Sequence, residues 1–254
     1  MSMPPAADPW ARFRASTRAR IGIGRVGDAI PTNEVLDLQF AHARARDAVH
    51  GAVDFARLAG ELAPLRSVRI RSLAEGRGTY LARPDLGRRV DPAALASLPS
   101  TGCDICFVIA DGLSASAVEG HALPVLKACL ERLKKFKIGR VVFADQARVA
   151  LADEVGERMK ARLSVILIGE RPGLSVPDSL GAYLTYGPRV GRRDSERNCV
   201  SNIHADGLSY EAAADKIAWL AREALRLGLT GVDLKDEAMV QLQLPGSDAK
   251  QIAG

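Results

Sequence analysis

Three apolar runs constrain this chain more than any other feature: DICFVIAD at 104–111, RVVFAD at 140–145 and LSVILIG at 163–169. Each is nearly continuous in Val, Ile, Leu and Phe rather than alternating, which is the pattern of a strand buried on both faces of a sheet. The intervals carry helical spacing, in SASAVEGHALPVLKACLERLKKF and in ARVALADEVGERMK. Strand, helix, strand, helix, strand is the signature of parallel strands joined by crossover helices. The expected class is therefore α/β: a Rossmann-like, doubly wound, mostly parallel sheet, preceded by a smaller helical and mixed N-terminal region. Ser114 is placed to cap the first of these helices, which Gly120 and Pro124 should bend or delay until after His121.

In open α/β sheets ligands bind just beyond the carboxyl ends of the strands. Here those ends present Asp111 with Ser114, the loop from Asp145 to Val149, and Glu170 with Arg171 between Gly169 and Gly173. A solvated loop pair at Glu170 and Arg171 would also satisfy the spacing. Two more strands are expected, Ala182 to Tyr186 and Cys199 to Ile203, separated by a loop carrying Arg192, Arg193, Asp194 and Glu196. YEAAADKIAWLAREALRLG then reads as an amphipathic helix with Ser209 as its cap and Gly228 as its stop. From Leu229 onward weak structural commitment is expected.

The amino-terminal part is less decided. Residues 1–20 are rich in Pro, Ala and Arg and are expected to form a flexible basic segment. Gly22, Gly24 and Gly27 have the G-x-G-x-x-G spacing of a dinucleotide loop, but they interrupt their only candidate strand and no helix follows directly, so a turn-rich entry is expected instead. A helix should begin near Thr32, with Thr32 and Asn33 as caps, and Val68 to Leu73 and Tyr80 to Leu81 read as short strands. The loop holding Arg83, Asp85, Arg88 and Arg89 has the charge to anchor a partner subunit or a phosphate. The resulting division is 1–20, 21–100 as a mixed α+β region, 101–230 as the Rossmann-like domain and 231–254 as a tail.

Composition excludes several classes. No apolar run approaches the roughly 20 residues a membrane span requires, and the first residues lack the apolar core of a secretory signal. The net charge of +5 sits largely in Arg12, Arg14, Arg18, Arg20 and Arg25. Aromatics make up only 5% and are not interleaved with those arginines, which argues against nucleic acid as the partner. Of four cysteines, Cys103 and Cys106 form a C-x-x-C with no second pair to complete a metal site, so core cysteines in a reduced, intracellular protein are expected. Asp111, Glu170 and His204 are accompanied by no nucleophile elbow, phosphate loop or H-E-x-x-H. The residues alone thus describe a ligand-binding α/β domain with no catalytic residues and no metal ligands of its own.

Longer runs say more. ARIGIGRVGDAIPT at 19–32, YLARPDLGRR at 80–89, VIADGLSASA at 108–117, ILIGERPGLSVPDSLGAYLTYGPR at 166–189 and RNCVSNIHADG at 197–207 closely resemble the small (light) subunit family of ethanolamine ammonia-lyase. The resemblance extends from about residue 10 to about residue 230. It implies a hetero-oligomer with a large subunit, a (β/α)8 barrel that holds ethanolamine, and adenosylcobalamin lying between the two subunits. Homolysis of the cobalt–carbon bond would give an adenosyl radical that abstracts hydrogen from ethanolamine, and acetaldehyde and ammonium would leave. Carried over residue by residue, the family's cobalamin contacts fall on Val149, Glu170 and Cys199. Glu170 would accept from corrin side-chain amides, and Val149 and Cys199 would pack on the ring or its lower nucleotide. No D-x-H-x-x-G occurs, in keeping with base-on binding. The amino terminus is short beside members with a leading extension for a bacterial microcompartment, which argues against such packaging and for a cytoplasmic location. The competing reading is a non-enzymatic α/β module that binds a nucleotide or an acidic partner.

Overall fold

The computed structural model describes residues 8–235. In chain order the elements are α1 (Ala11–Ser16), α2 (Thr32–His50), α3 (Phe55–Leu62), β1 (Ser67–Arg71), α4 (Arg77–Ala82), α5 (Pro92–Ser97) and β2 (Cys103–Ala110). There follow α6 (Ala115–Ala117), a π turn at Val118–Ala122, α7 (Leu123–Arg132), β3 (Val141–Asp145), α8 (Leu151–Arg158) and β4 (Ala161–Gly169). The chain continues through β5 (Leu180–Tyr186) and β6 (Asn198–Ile203) to α9 (Tyr210–Leu227).

The strands form one six-stranded sheet in the order β1-β3-β2-β4-β5-β6. β1, β3, β2 and β4 are mutually parallel, as the crossover pattern requires. β5 and β6 instead turn back in antiparallel pairs, so the sheet is mixed rather than mostly parallel. The reason is the connections: the short loops after β4 and β5 hold no helix long enough to return the chain to the opposite edge. Both faces of the parallel part are covered. Ile105, Phe107 and Ile109 of β2 pack toward α3, α7 and α9, while Cys106, Val108 and Ala110 pack toward α5 and α8. That two-sided burial is what the unbroken apolar runs express.

Ser209 Oγ accepts from the Ala212 amide at the start of α9, and Gly228, with φ of 76°, closes its end. Ser114 Oγ likewise accepts from Ala117 N–H at 3.2 Å. Gly120 lies within the π turn at Val118–Ala122 and Pro124 in the first turn of α7, so the regular helix starts at Leu123, after His121 as expected. Gly22, Gly24 and Gly27 all have positive φ and belong to no strand, in line with a turn-rich entry.

Other expectations need correction. Tyr80 and Leu81 lie in helix α4, because Tyr80 is wholly buried on one side of a single short turn, too brief for a period to be read. α2 begins at Thr32 without a side-chain cap, so Thr32 is its first residue and not its cap. Beyond Leu229 the chain does not loosen at once: Thr230 and Leu234 are buried, and Thr230 Oγ1 accepts from the Tyr186 amide at 2.9 Å. The remainder of the expected tail, from 236, and residues 1–7 lie outside the described residues. No helix among the described residues is long and apolar enough to cross a membrane.

Candidate functional site

The parallel register brings the carboxyl ends of β2, β3 and β4 to one edge. Backbone alone fixes the spacing of two of them. Leu113 N–H donates to Gly169 O at 2.9 Å, and a Cβ on Gly112 would lie 2.2 Å from that same oxygen. Gly112 also has φ of 58°, so both its backbone conformation and its closeness to Gly169 demand glycine. Next to this contact Asp111 turns inward. Its Oδ2 accepts from Gln146 N–H at 2.8 Å and its Oδ1 from Ala147 N–H at 3.0 Å, locking the β3 loop to β2. Burial pushes the Asp111 carboxyl up to about 6, against the pull of those amides and of Arg77. The residue is therefore a structural tie, not a member of an acid/base set.

Two clefts of about 410 Å³ each adjoin along this edge and share Arg148, Val149 and Tyr183. The first is lined also by Arg88, Asp194, Arg197 and Cys199. The second reaches the strand ends at Gly112, Gly169, Glu170 and Arg171. Val149, Glu170 and Cys199 are thus brought around one concave surface, with Val149 at the junction. They arrive by different routes. Glu170 follows β4 at the strand end, and Val149 lies just before α8. Cys199 enters from the sheet face: it pairs with Tyr183, which pairs with Ile166, three residues below the β4 end, roughly 10 Å.

Glu170 is held on one side only. Its Oε2 accepts from Ser179 Oγ at 2.5 Å and from the Asn202 amide at 3.4 Å, whereas Oε1 has no donor among the described residues. Oε1 also lies where a Cβ on Gly181 would come within 2.8 Å, so glycine at 181 gives the carboxylate its room. Cys199 is a free thiol. The residue is exposed as a whole, but partial desolvation of its sulfur beside Tyr183, together with the nearby Glu170 charge, pushes it up, and only the hydrogen bond with the Tyr183 hydroxyl opposes this. A thiol so held is protonated near neutral pH and suits a packing surface better than a nucleophile. Tyr183 is itself raised, by burial first and by Cys199 second.

Sequence reasoning missed the supports. Arg197 is buried and forks onto Asp153 of α8 with contacts of 2.6 and 2.7 Å, and also donates to Thr185 Oγ1 at 2.9 Å. It thereby clamps β6 and β5 to α8 beneath the first cleft. Tyr80 stands between two guanidiniums, Arg148 at 4.3 Å and Arg77 at 4.8 Å from its ring centre, and donates to Ala147 O at 3.0 Å. Arg77 in turn reaches Val49 O in α2 and Gly112 O on the edge. The charges in the RPDLGRR run were the one available signal, but nothing in sequence aims Arg148 or Tyr183 at a cleft. His204 lies apart, bonded to Asn202 Oδ1 at 2.9 Å. Cys103, Cys106 and Cys129 are buried core thiols, and no cluster of metal-ligating side chains occurs among the described residues.

The sheet and its concave edge, open to solvent and holding one half-free carboxylate, define an α/β protein with a candidate ligand-binding edge. Comparison with known proteins gives that class its particular form. The sequence profile of the ethanolamine ammonia-lyase light chain matches residues 7–235, and the chain belongs to that family, the small subunits of a lyase. It is 51% identical over 247 residues to the ethanolamine ammonia-lyase small subunit of Azotobacter vinelandii (strain DJ), covering 93% of this chain and 92% of that one. It is 52% identical over 236 residues to that of Rhodopseudomonas palustris (strain BisA53), with 90% of each covered. Against the small subunit of Pseudomonas putida (strain GB-1) it is 49% identical over 259 residues, covering 98% of this chain and 95% of the relative.

Proposed function

We propose that this chain works as the small subunit of an adenosylcobalamin-dependent ethanolamine ammonia-lyase, supporting the corrinoid from below while a barrel-type large subunit holds ethanolamine. The observation that carries the proposal is the convergence of Val149, Glu170 and Cys199, three positions far apart in sequence, on two adjoining clefts. The donor set suits the group. Glu170 Oε1 is an acceptor without a donor, which a corrin side-chain amide can supply. Val149, Tyr183 and Cys199 offer an apolar floor, and the openness of the clefts leaves the other wall to a second chain. When bound, the corrinoid supplies radical chemistry by homolysis of its cobalt–carbon bond, and the protein contributes placement. This chain's residues would bind and orient it: Glu170 would accept from a side-chain amide, Val149 and Cys199 would pack against the group, and the Arg197–Asp153 clamp would hold β5 and β6 to α8 beneath the first cleft. The Rossmann-like description then fits the function of the parallel half.

The large subunit docks, on this reading, against residues 21–100 and the arm before them. Among the described residues twelve large apolar side chains are exposed to solvent, and half of them are Trp10, Phe13, Val26, Ile30, Leu36 and Phe40. α2 buries only Ala41 and Ala48 of its 19 residues, so most of its length has no cover within the chain. The cytoplasm is the location that suits this assembly.

Co-expression with a barrel subunit from the same genome, followed by assay of acetaldehyde release with and without adenosylcobalamin, tests the proposal. Activity should require both chains and the cofactor. Glu170→Ala should leave assembly intact and weaken corrinoid binding about tenfold, as loss of one charge-assisted bond does. Chains that associate but take up no corrinoid would sink the proposal.

A further inference from the structure

Three arginines line the first cleft, Arg88, Arg148 and Arg197. Arg197 forks onto Asp153, and Arg88 lies 3.9 Å from Asp194. Arg148 has no carboxylate within ion-pair distance among the described residues. Its Nε is buried without a partner, and its guanidinium makes a single hydrogen bond, from Nη2 to Tyr80 O at 3.4 Å. The side chain is nevertheless fixed. Its guanidinium lies over the Tyr80 ring, its stem passes Gly87 so closely that a Cβ there would sit 3.0 Å from its Cγ, and its backbone N–H donates to Gly87 O at 2.8 Å. Packing thus holds a cation at the junction of two clefts and leaves its charge unanswered. A guanidinium in that position is costly alone and favourable once a ligand brings an anion. Its planar fork matches the paired oxygens of a phosphate ester. Val149 and Ala150, which follow it, line the same cleft and lead into α8.

Resting on the corrinoid-supporting function proposed above, we propose that Arg148 recognises the phosphodiester in the nucleotide loop of the cofactor. Glu170 and Arg148 then divide the ligand between them: the acceptor carboxylate at the strand end takes ring amides, and the donor guanidinium at the junction takes the loop's anion. This also gives Tyr80 a part as a positioning residue, since it sets the plane of Arg148 without reaching the ligand itself.

The test uses the assembled two-chain complex and measures affinity by equilibrium dialysis, read at the visible absorbance for the corrinoids and by radiolabel for phosphate. The probes are adenosylcobalamin, adenosylcobinamide, which keeps the ring and adenosyl group but lacks the nucleotide loop, and inorganic phosphate. Arg148→Met should weaken adenosylcobalamin on the order of ten- to a hundredfold while changing adenosylcobinamide by less than about threefold. Arg148→Lys, which keeps the charge without the fork, should fall between. Equal loss for both corrinoids would overturn the inference in favour of a packing role. An unchanged affinity for adenosylcobalamin would also overturn it, and Arg148-dependent binding of inorganic phosphate in that case would make free phosphate the ligand. A wild-type complex that binds neither corrinoid would overturn the function itself, a result distinct from the others.

Discussion

Asp111 illustrates how a single carboxylate at this edge can be tied down and still carry a cost. Its pKa is raised to about 6 by burial, so the folded chain keeps a proton there that the unfolded chain, near the ordinary aspartate value, has already lost. Between about pH 4 and 6 the folded state therefore binds more protons, and the contribution of this group to stability declines as pH rises through that window, by on the order of 3 kcal/mol. Denaturant midpoints measured across pH 4–7 should show this slope in the wild type and lose it in Asp111→Asn. A slope that persists unchanged in the variant would place its origin elsewhere. Glu170 was legible in the sequence because a charged residue following an apolar run and a glycine has few other places to go. Arg148 and Tyr183 were not, because their importance comes from which cleft they face, and that depends on pairings between strands far apart in the chain.

At the scale of elements, α8 and the β5–β6 pair act as a unit through Arg197 and Asp153, both almost wholly buried. Arg197→Met should cost about 3–5 kcal/mol, because it strands the Asp153 carboxylate in the interior. Adding Asp153→Leu should recover most of the loss, and thermal denaturation of the single and double variants checks both statements. If the single variant loses under about 1 kcal/mol, water or Arg192 has replaced the clamp. The three parallel strands were readable from their apolar runs and from the helices between them, since burial on both faces writes itself into composition. The direction of β5 and β6 was not readable. Leu180 to Tyr186 has the same apolar character either way, and only the length of the connecting loops separates a hairpin-like return from a crossover. α4 failed for a different reason: six residues span less than two turns, too few for a 3.6-residue period to be distinguished from an alternation.

For the whole molecule, the distribution of exposed apolar side chains sets what happens without a partner. Leu36 and Phe40 lie one turn apart on α2, are more than half exposed, and contribute nothing to the chain's own core. Leu36→Asp combined with Phe40→Asp should abolish association with the large subunit, as judged by size-exclusion chromatography. It should leave the isolated chain's melting temperature within a few degrees, since surface changes away from packed contacts seldom exceed about 0.5 kcal/mol each. Retained association would move the docking face elsewhere.

The meeting of Gly112 with Gly169 has one more consequence. Backbone meets backbone between the ends of β2 and β4, so the gauge of this edge is cut in peptide, at a hydrogen bond of 2.9 Å. Substitutions at 170, 171 or 149 can retune polarity, reach and affinity, but they work within a frame whose width they do not set. Chemistry at this edge is adjustable, whereas its dimensions are fixed.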